Sequence, residues 1–217
     1  MLITGFGPFG EIAKNPSQWL AENLGLPFEI IPVSYAATDA FVERTAANPP
    51  ERILHIGVAR KATKFRVELV AHNLIGPTPD IDGIVAGPGP IDPAADQQLG
   101  TTLWKSPGFF QENENWETSV NAGDYLCNYI YFQSLKSLSN TEIGFLHVPP
   151  EEAMPLPMQL KIAREILNVM SVNTGLTLKS YLRVAGHGRC RVVNFPPFGR
   201  SQQLGGNEIW LAHIHPV

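Results

Sequence analysis

Two cysteines in 217 residues are too few to staple a fold, and Cys127 and Cys190 stand too far apart to make a CxxC pair. A disulfide scaffold and a close-spaced thiolate metal knuckle are both excluded. Charge is sparse as well. Only 17% of residues are Asp, Glu, Lys or Arg, the net charge is −4, and no basic run is longer than Arg60-Lys61. Nucleic acid and anionic membrane surfaces are therefore poor partners for this chain. No run of 18 apolar residues offers a membrane-spanning helix. The opening MLITGFGPFG has neither a basic leader nor an apolar stretch of signal-peptide length, so a cytoplasmic location is expected. Nineteen glycines and nineteen prolines follow no period, which excludes collagen-like packing and points instead to long ordered loops.

What the chain does have is 44% hydrophobic residues, enough for the core of one α/β domain spanning 1–217. Short β-rich runs alternate with helical ones. LIT leads into the glycines of GFGPFG. NPSQWLAENLG then starts a helix at Asn15 or Pro16 and stops it at Gly25. FEIIPV, the helical AATDAFVERTAANPP and the strand RILHIG follow. This alternation predicts a three-layer α/β/α sandwich around a twisted, mainly parallel mixed sheet. FRVELVAHNLI reads as one further strand. Residues 76–118, rich in Pro, Gly, Asp and Asn, read as a long loop or lid carrying short strands. A helix over SVNAGDYLCNYIYFQSLKSL, the strand IGFLHV, the turn PPEEAMPLP and the helix QLKIAREILNVM come next. Residues 173–217 form a C-terminal extension whose apolar segments VVNF and IWLAHI suggest a packed tail.

The string Gly5-Phe6-Gly7-Pro8-Phe9-Gly10 satisfies GxGxxG but fails as a dinucleotide fingerprint. Pro8 has no N–H to offer a pyrophosphate, and the loop EIAK intervenes before the helix. The glycines read better as a turn that brings Phe6 and Phe9 to the ligand-binding edge of the sheet, although both rings also suit a core. Cys127 lies near a helix start, where free amides favour a thiolate, yet a lone cysteine is as readily a packed hydrophobe. His147 ends a strand just before Pro149-Pro150, as a general base or as a packed ring. Glu68 interrupts the apolar run FRVELV, either on the solvent side of an edge strand or as a carboxylate that orients an imidazole. His213-x-His215 with His187 and Cys190 offers ligand types but no HExxH and no close cysteine pair, so no metal and no cofactor is expected.

Together, GFGPFG with the following NPS, ELVAHN, AGDYLCNY and GFLHVPP resemble pyroglutamyl peptidase I, or pyrrolidone-carboxylate peptidase. The segments fall in that family's order, and the resemblance runs from residue 1 to about residue 172. Gly57-Val58, Ala62-Thr63, His72-Asn73 and the HVPP ending at Pro150 are similar to the animal-type branch. The resemblance implies an α/β/α sandwich and a cysteine exopeptidase that removes N-terminal pyroglutamate from small peptides through a thioacyl-enzyme. It implies Cys127, His147 and Glu68 as the catalytic triad, with Phe6, Phe9 and Asn15 at the substrate. It leaves homo-oligomerisation open. The alternative is a non-catalytic binding or structural protein on the same fold, which would bind its ligand without turnover.

Overall fold

The computed structural model describes residues 1–10, 14–104 and 112–173. The extension over 173–217, with Cys190 and the histidines near the C-terminus, therefore lies outside the described residues apart from the end of the last helix.

Two βα pairs and a third strand build the first half. β1 (Leu2–Phe6) is followed by α1 (Pro16–Asn23), β2 (Phe28–Ile31) by α2 (Tyr35–Ala47), and β3 (Arg52–Val58) by a tight turn. Asn15 accepts the amide of Ser17 through its side chain and Pro16 occupies the first turn, where its missing N–H costs nothing. Ser34 caps α2 through Ala37 N. Gly25, just past the end of α1, takes φ +76, which a side chain would oppose.

The expected single strand over FRVELVAHNLI is instead two, β4 (Phe65–Glu68) and β5 (Val70–His72), in different sheets. At Leu69 the backbone changes partners. Its N–H donates to Ser119 O beside β7 (Trp116–Ser119), while its carbonyl accepts from Thr101 just past β6 (Gln98–Gly100). The long segment 76–118 thus carries β6 and the start of β7, and Leu103 and Trp104 within it are buried in the core. The helix expected to begin near Ser119 starts only at α3 (Leu126–Ser137), because residues 119–125 are occupied by Asx and glycine turns, Gly123 at φ +84 among them.

The last strand, β8 (Glu142–Val148), and α4 (Leu156–Asn173) complete the domain. The six-stranded sheet has the order β2-β1-β3-β8-β4-β7. β1, β2, β3 and β8 run parallel, and β4 runs antiparallel to β8 and parallel to β7. The fold is α/β with a mixed, mostly parallel sheet.

Alternation along the central strands decides both faces. Leu54, Ile56, Leu146 and Val148 join Leu20 of α1 and Ile162 and Ile166 of α4 in one cluster. Ile53, Ile143 and Phe145 join Phe41 of α2 and Leu126 and Ile130 of α3 in the other. Burying each such aliphatic or aromatic side chain contributes about 1.5–3 kcal/mol relative to leaving it in water. With helices on both faces, the C-terminal ends of β3 and β8 and the start of α3 converge on one edge. Ligands bind α/β sheets at that edge.

Candidate active site

His147 sits one residue before the end of β8, directly beside Gly57 of β3 in the parallel register. On its other side lies β4, where Arg66 opposes His147 and Glu68 opposes Phe145. Because side chains two apart share a strand face, Glu68 projects from the same face as His147 and slightly deeper in the sheet. Glu68 Oε1 stands 2.7 Å from His147 Nδ1, with Glu68 0% and His147 6% exposed. Glu68 does not interrupt its apolar run by facing water. β4 is an interior strand and the carboxylate is fully enclosed. Among the described residues Oε2 has no hydrogen-bond partner, so the carboxylate's hydrogen bond there is the one to His147 Nδ1.

Cys127, half-buried in the first turn of α3, stands close enough to the His147 ring to act on its charge. A Cβ added to Gly57 would lie 2.7 Å from Cys127 Sγ and 2.8 Å from Phe145 Cζ. Glycine here is a spatial requirement, because any side chain would push the sulfur off the imidazole. Burial alone would lower the His147 pKa. Cys127 and the hydrogen-bonded Glu68 carboxylate outweigh it and hold the ring up at about 9. The imidazolium is therefore the favoured form at neutral pH.

The N-cap of α3, Tyr125, makes no side-chain cap hydrogen bond. Its hydroxyl donates instead to Pro79 O, while that of Tyr35 donates to Thr78 O, and Asp80 accepts the Tyr35 amide. The turn at 78–84 is thus tied to the starts of both α2 and α3. Burial raises the Tyr125 phenol, and Asp80 and Cys127 add to it, while Arg60 opposes them. That guanidinium lies 5.2 Å from the centre of the Phe9 ring.

The remaining sequence candidates fall nearby with different degrees of exposure. Phe6, at the end of β1, is buried, while Phe9 is only half-buried. Both pack with Cys127 and Tyr125 in the same apolar cluster. Asn15 is 2% exposed and works within the protein. Its Nδ2 donates to Gly7 O and its Oδ1 accepts from Ser17 N and Oγ, which locks the glycine turn to the start of α1.

Two groups carried no earlier expectation. Asn128, next to Cys127 and fully buried, accepts the His72 amide and donates to the carbonyls of His72 and Leu74. It clamps the chain after β5 against α3. His55 is a fully buried ring in β3. A polar residue inside the apolar run RILHIG was its signal in the sequence. Among the described residues no group of three or more His, Cys, Asp or Glu side chains is arranged to hold a metal ion, and no helix is long and apolar enough to cross a membrane.

Comparison with known proteins gives one consistent family. The profile of the family described as pyroglutamyl peptidase matches residues 1–177. Human pyroglutamyl-peptidase 1 is 30% identical over 171 residues, covering 69% of this chain and 78% of the human one. The pyrrolidone-carboxylate peptidase of Pyrococcus furiosus is 30% identical over 171 residues, covering 70% and 82%. Among solved structures, the pyrrolidone carboxyl peptidase of Thermus thermophilus superposes with a TM-score of 0.64 at 31% identity, covering 76% of this chain and 97% of that one.

Proposed function

Because the chain belongs to the pyroglutamyl peptidase family, we propose that it is a cysteine exopeptidase that cleaves pyroglutamate from peptide N-termini, with Cys127 as nucleophile, His147 as general acid–base and Glu68 as the carboxylate that orients and charges the imidazole. The observation that carries this reading is the buried Glu68–His147 hydrogen bond with Cys127 beside the imidazole, at the edge of the sheet where β3, β8 and α3 meet.

Cys127 Sγ attacks the carbonyl that joins pyroglutamate to the next residue, forming an S–C bond. His147 has taken the thiol proton and gives it to the leaving amine as the C–N bond breaks. Water then adds to the thioester with His147 as base, and pyroglutamate leaves with the thiol restored. Oxyanion donors are best supplied by the first-turn amides of α3, whose N-cap side chain does not compete for them. The Gly57–Ala59 backbone is a weaker source, since Ala59 N already donates to Val148 O.

A pyroglutamyl residue brings no ammonium group, so a neutral pocket walled by Phe6 and Phe9 suits it, with Asn15 acting through the Gly7 turn rather than by direct contact. Buried backbone groups left unpaired would penalise an ordinary N-terminal residue. The deciding experiment is release of aryl amine from pyroglutamyl-, prolyl- and glutamyl-arylamides by reduced protein. The expected result is turnover of the first alone. Equal rates, or binding of pyroglutamyl compounds without turnover, would overturn the proposal.

A further inference from the structure

We propose that His55 is a positioning residue for the Cys127–His147 pair: it bolts helix α3 to the sheet so that the sulfur and the imidazole stay in register. The inference rests on the catalytic reading above but can fail separately from it.

His55 belongs to β3, is 0% exposed and takes no part in the chemistry. Its Nδ1 lies 2.7 Å from Thr4 Oγ1 of the neighbouring strand β1, and its Nε2 lies 3.1 Å from Ser134 Oγ of α3. Thr4 and Ser134 are themselves buried. Burial holds the ring neutral, with its pKa lowered to about 3, so one nitrogen donates and the other accepts across the whole working range. A leucine or phenylalanine would fill the same space without the desolvation cost of three polar groups. The difference is direction. Apolar contacts let a helix slide or rotate by small amounts, whereas a rigid ring bonded at both ends fixes its angle.

Ser134 lies seven residues beyond Cys127, two turns along the same face of α3. Fixing the rotation of one therefore fixes the other. The tolerance is small, because Gly57 leaves Sγ no room for even a methyl group on that side. A second line of contact runs through rings, with the Phe145 ring 6.2 Å from His55 and 4.8 Å from His147. The bolt therefore touches the catalytic layer from helix and strand alike.

The test uses Ser134→Ala and Thr4→Val, each removing one hydroxyl with little change of shape, and Thr4→Ser, which keeps it. With a pyroglutamyl-arylamide, the first two should lower kcat by about tenfold while KM stays within about twofold, the loss that follows when one interaction worth about 1.4 kcal/mol acts on the reacting geometry alone. The alkaline limb of kcat/KM should fall by about half a pH unit as Cys127 moves off the His147 ring. Thr4→Ser should restore both. Variants with lowered Tm but parental kcat and an unmoved limb would show that the bolt serves stability only and would overturn the proposal. If the parent protein hydrolyses nothing, the catalytic reading falls, and the rate of Cys127 alkylation by iodoacetamide against pH decides the positioning role. A slower, shifted profile in Ser134→Ala and Thr4→Val supports it, and an unchanged profile overturns it.

Discussion

Replacing Glu68 by glutamine alters one charge 2.7 Å from His147 Nδ1 and almost nothing else. A hydrogen bond to an ionised group contributes about 1.5–3 kcal/mol and a neutral one about 0.5–1.5, so the exchange removes roughly 1–1.5 kcal/mol from the charged imidazole. That is about one pKa unit. In the parent the ring is raised to about 9, so the imidazolium is fully present near neutrality and is lost as pH rises through that value. In Glu68→Gln it is lost about one unit earlier, and the alkaline limb of kcat/KM moves down by the same amount. Loss of the carboxylate also weakens stabilisation of the imidazolium during proton transfer, and kcat should fall by about 10²-fold. KM should change little, since Phe6 and Phe9 are untouched. There is a stability cost too. If the amide oxygen keeps the Nδ1–H, the new NH₂ takes the place of Oε2, which has no partner, and a buried unsatisfied donor costs about 1–3 kcal/mol. Steady-state kinetics from pH 6 to 10 on a variant with parental circular dichroism measures all of this. A folded Glu68→Gln with kcat within about twofold of the parent and an unmoved limb would remove Glu68 from the mechanism.

Gly57→Ala drives a methyl into Cys127 Sγ and the Phe145 ring. It should lower kcat/KM by at least about tenfold and reduce Tm, as overpacking of a tight core costs about 1–3 kcal/mol. Asn15→Ala loses a helix cap worth about 1 kcal/mol together with the tie to Gly7 O. It should raise KM more than it lowers kcat if the glycine turn walls the substrate, which the arylamide assay reads directly. Brief iodoacetamide treatment with peptide mass mapping should label Cys127 ahead of Cys190, and preferential labelling of Cys190 would contradict the nucleophile assignment.

The sheet's parallel core was legible because RILHIG and IGFLHV are short apolar runs buried on both faces, and the first helix, which precedes them, begins at Asn15 with a recognisable cap. FRVELVAHNLI was misread as one strand for a physical reason. No glycine, proline or other turn residue marks a break at Leu69, while the change of partner there is dictated by Thr101 and Ser119, which are distant in sequence. The segment after Gly76 hides its order in the same way, since Leu103 and Trp104 pack where Gly144 leaves space. At the candidate site, the identities of Cys127, His147 and Glu68 could be read through resemblance, but not the depth of the carboxylate, which follows from β4 running against β8. His55 and Asn128 went unremarked because a buried polar residue announces a partner without naming it, and the partners, Thr4, Ser134 and the His72 backbone, lie 51 to 79 residues away.

The strand order carries a consequence for how the chain comes to life. Among the described residues β8 is the last strand in sequence, yet it lies between β3 and β4 in the finished sheet. Until it is synthesised and inserted, the two halves of the sheet have no seam to close. Glu68 and His147 are separated by 79 residues, a contact that only late, non-local assembly can make. A nascent chain that has already exposed Cys127 therefore carries an ordinary thiol, without its imidazole and without the carboxylate beneath it. On the proposed mechanism, reactivity switches on only when the central strand closes the sheet.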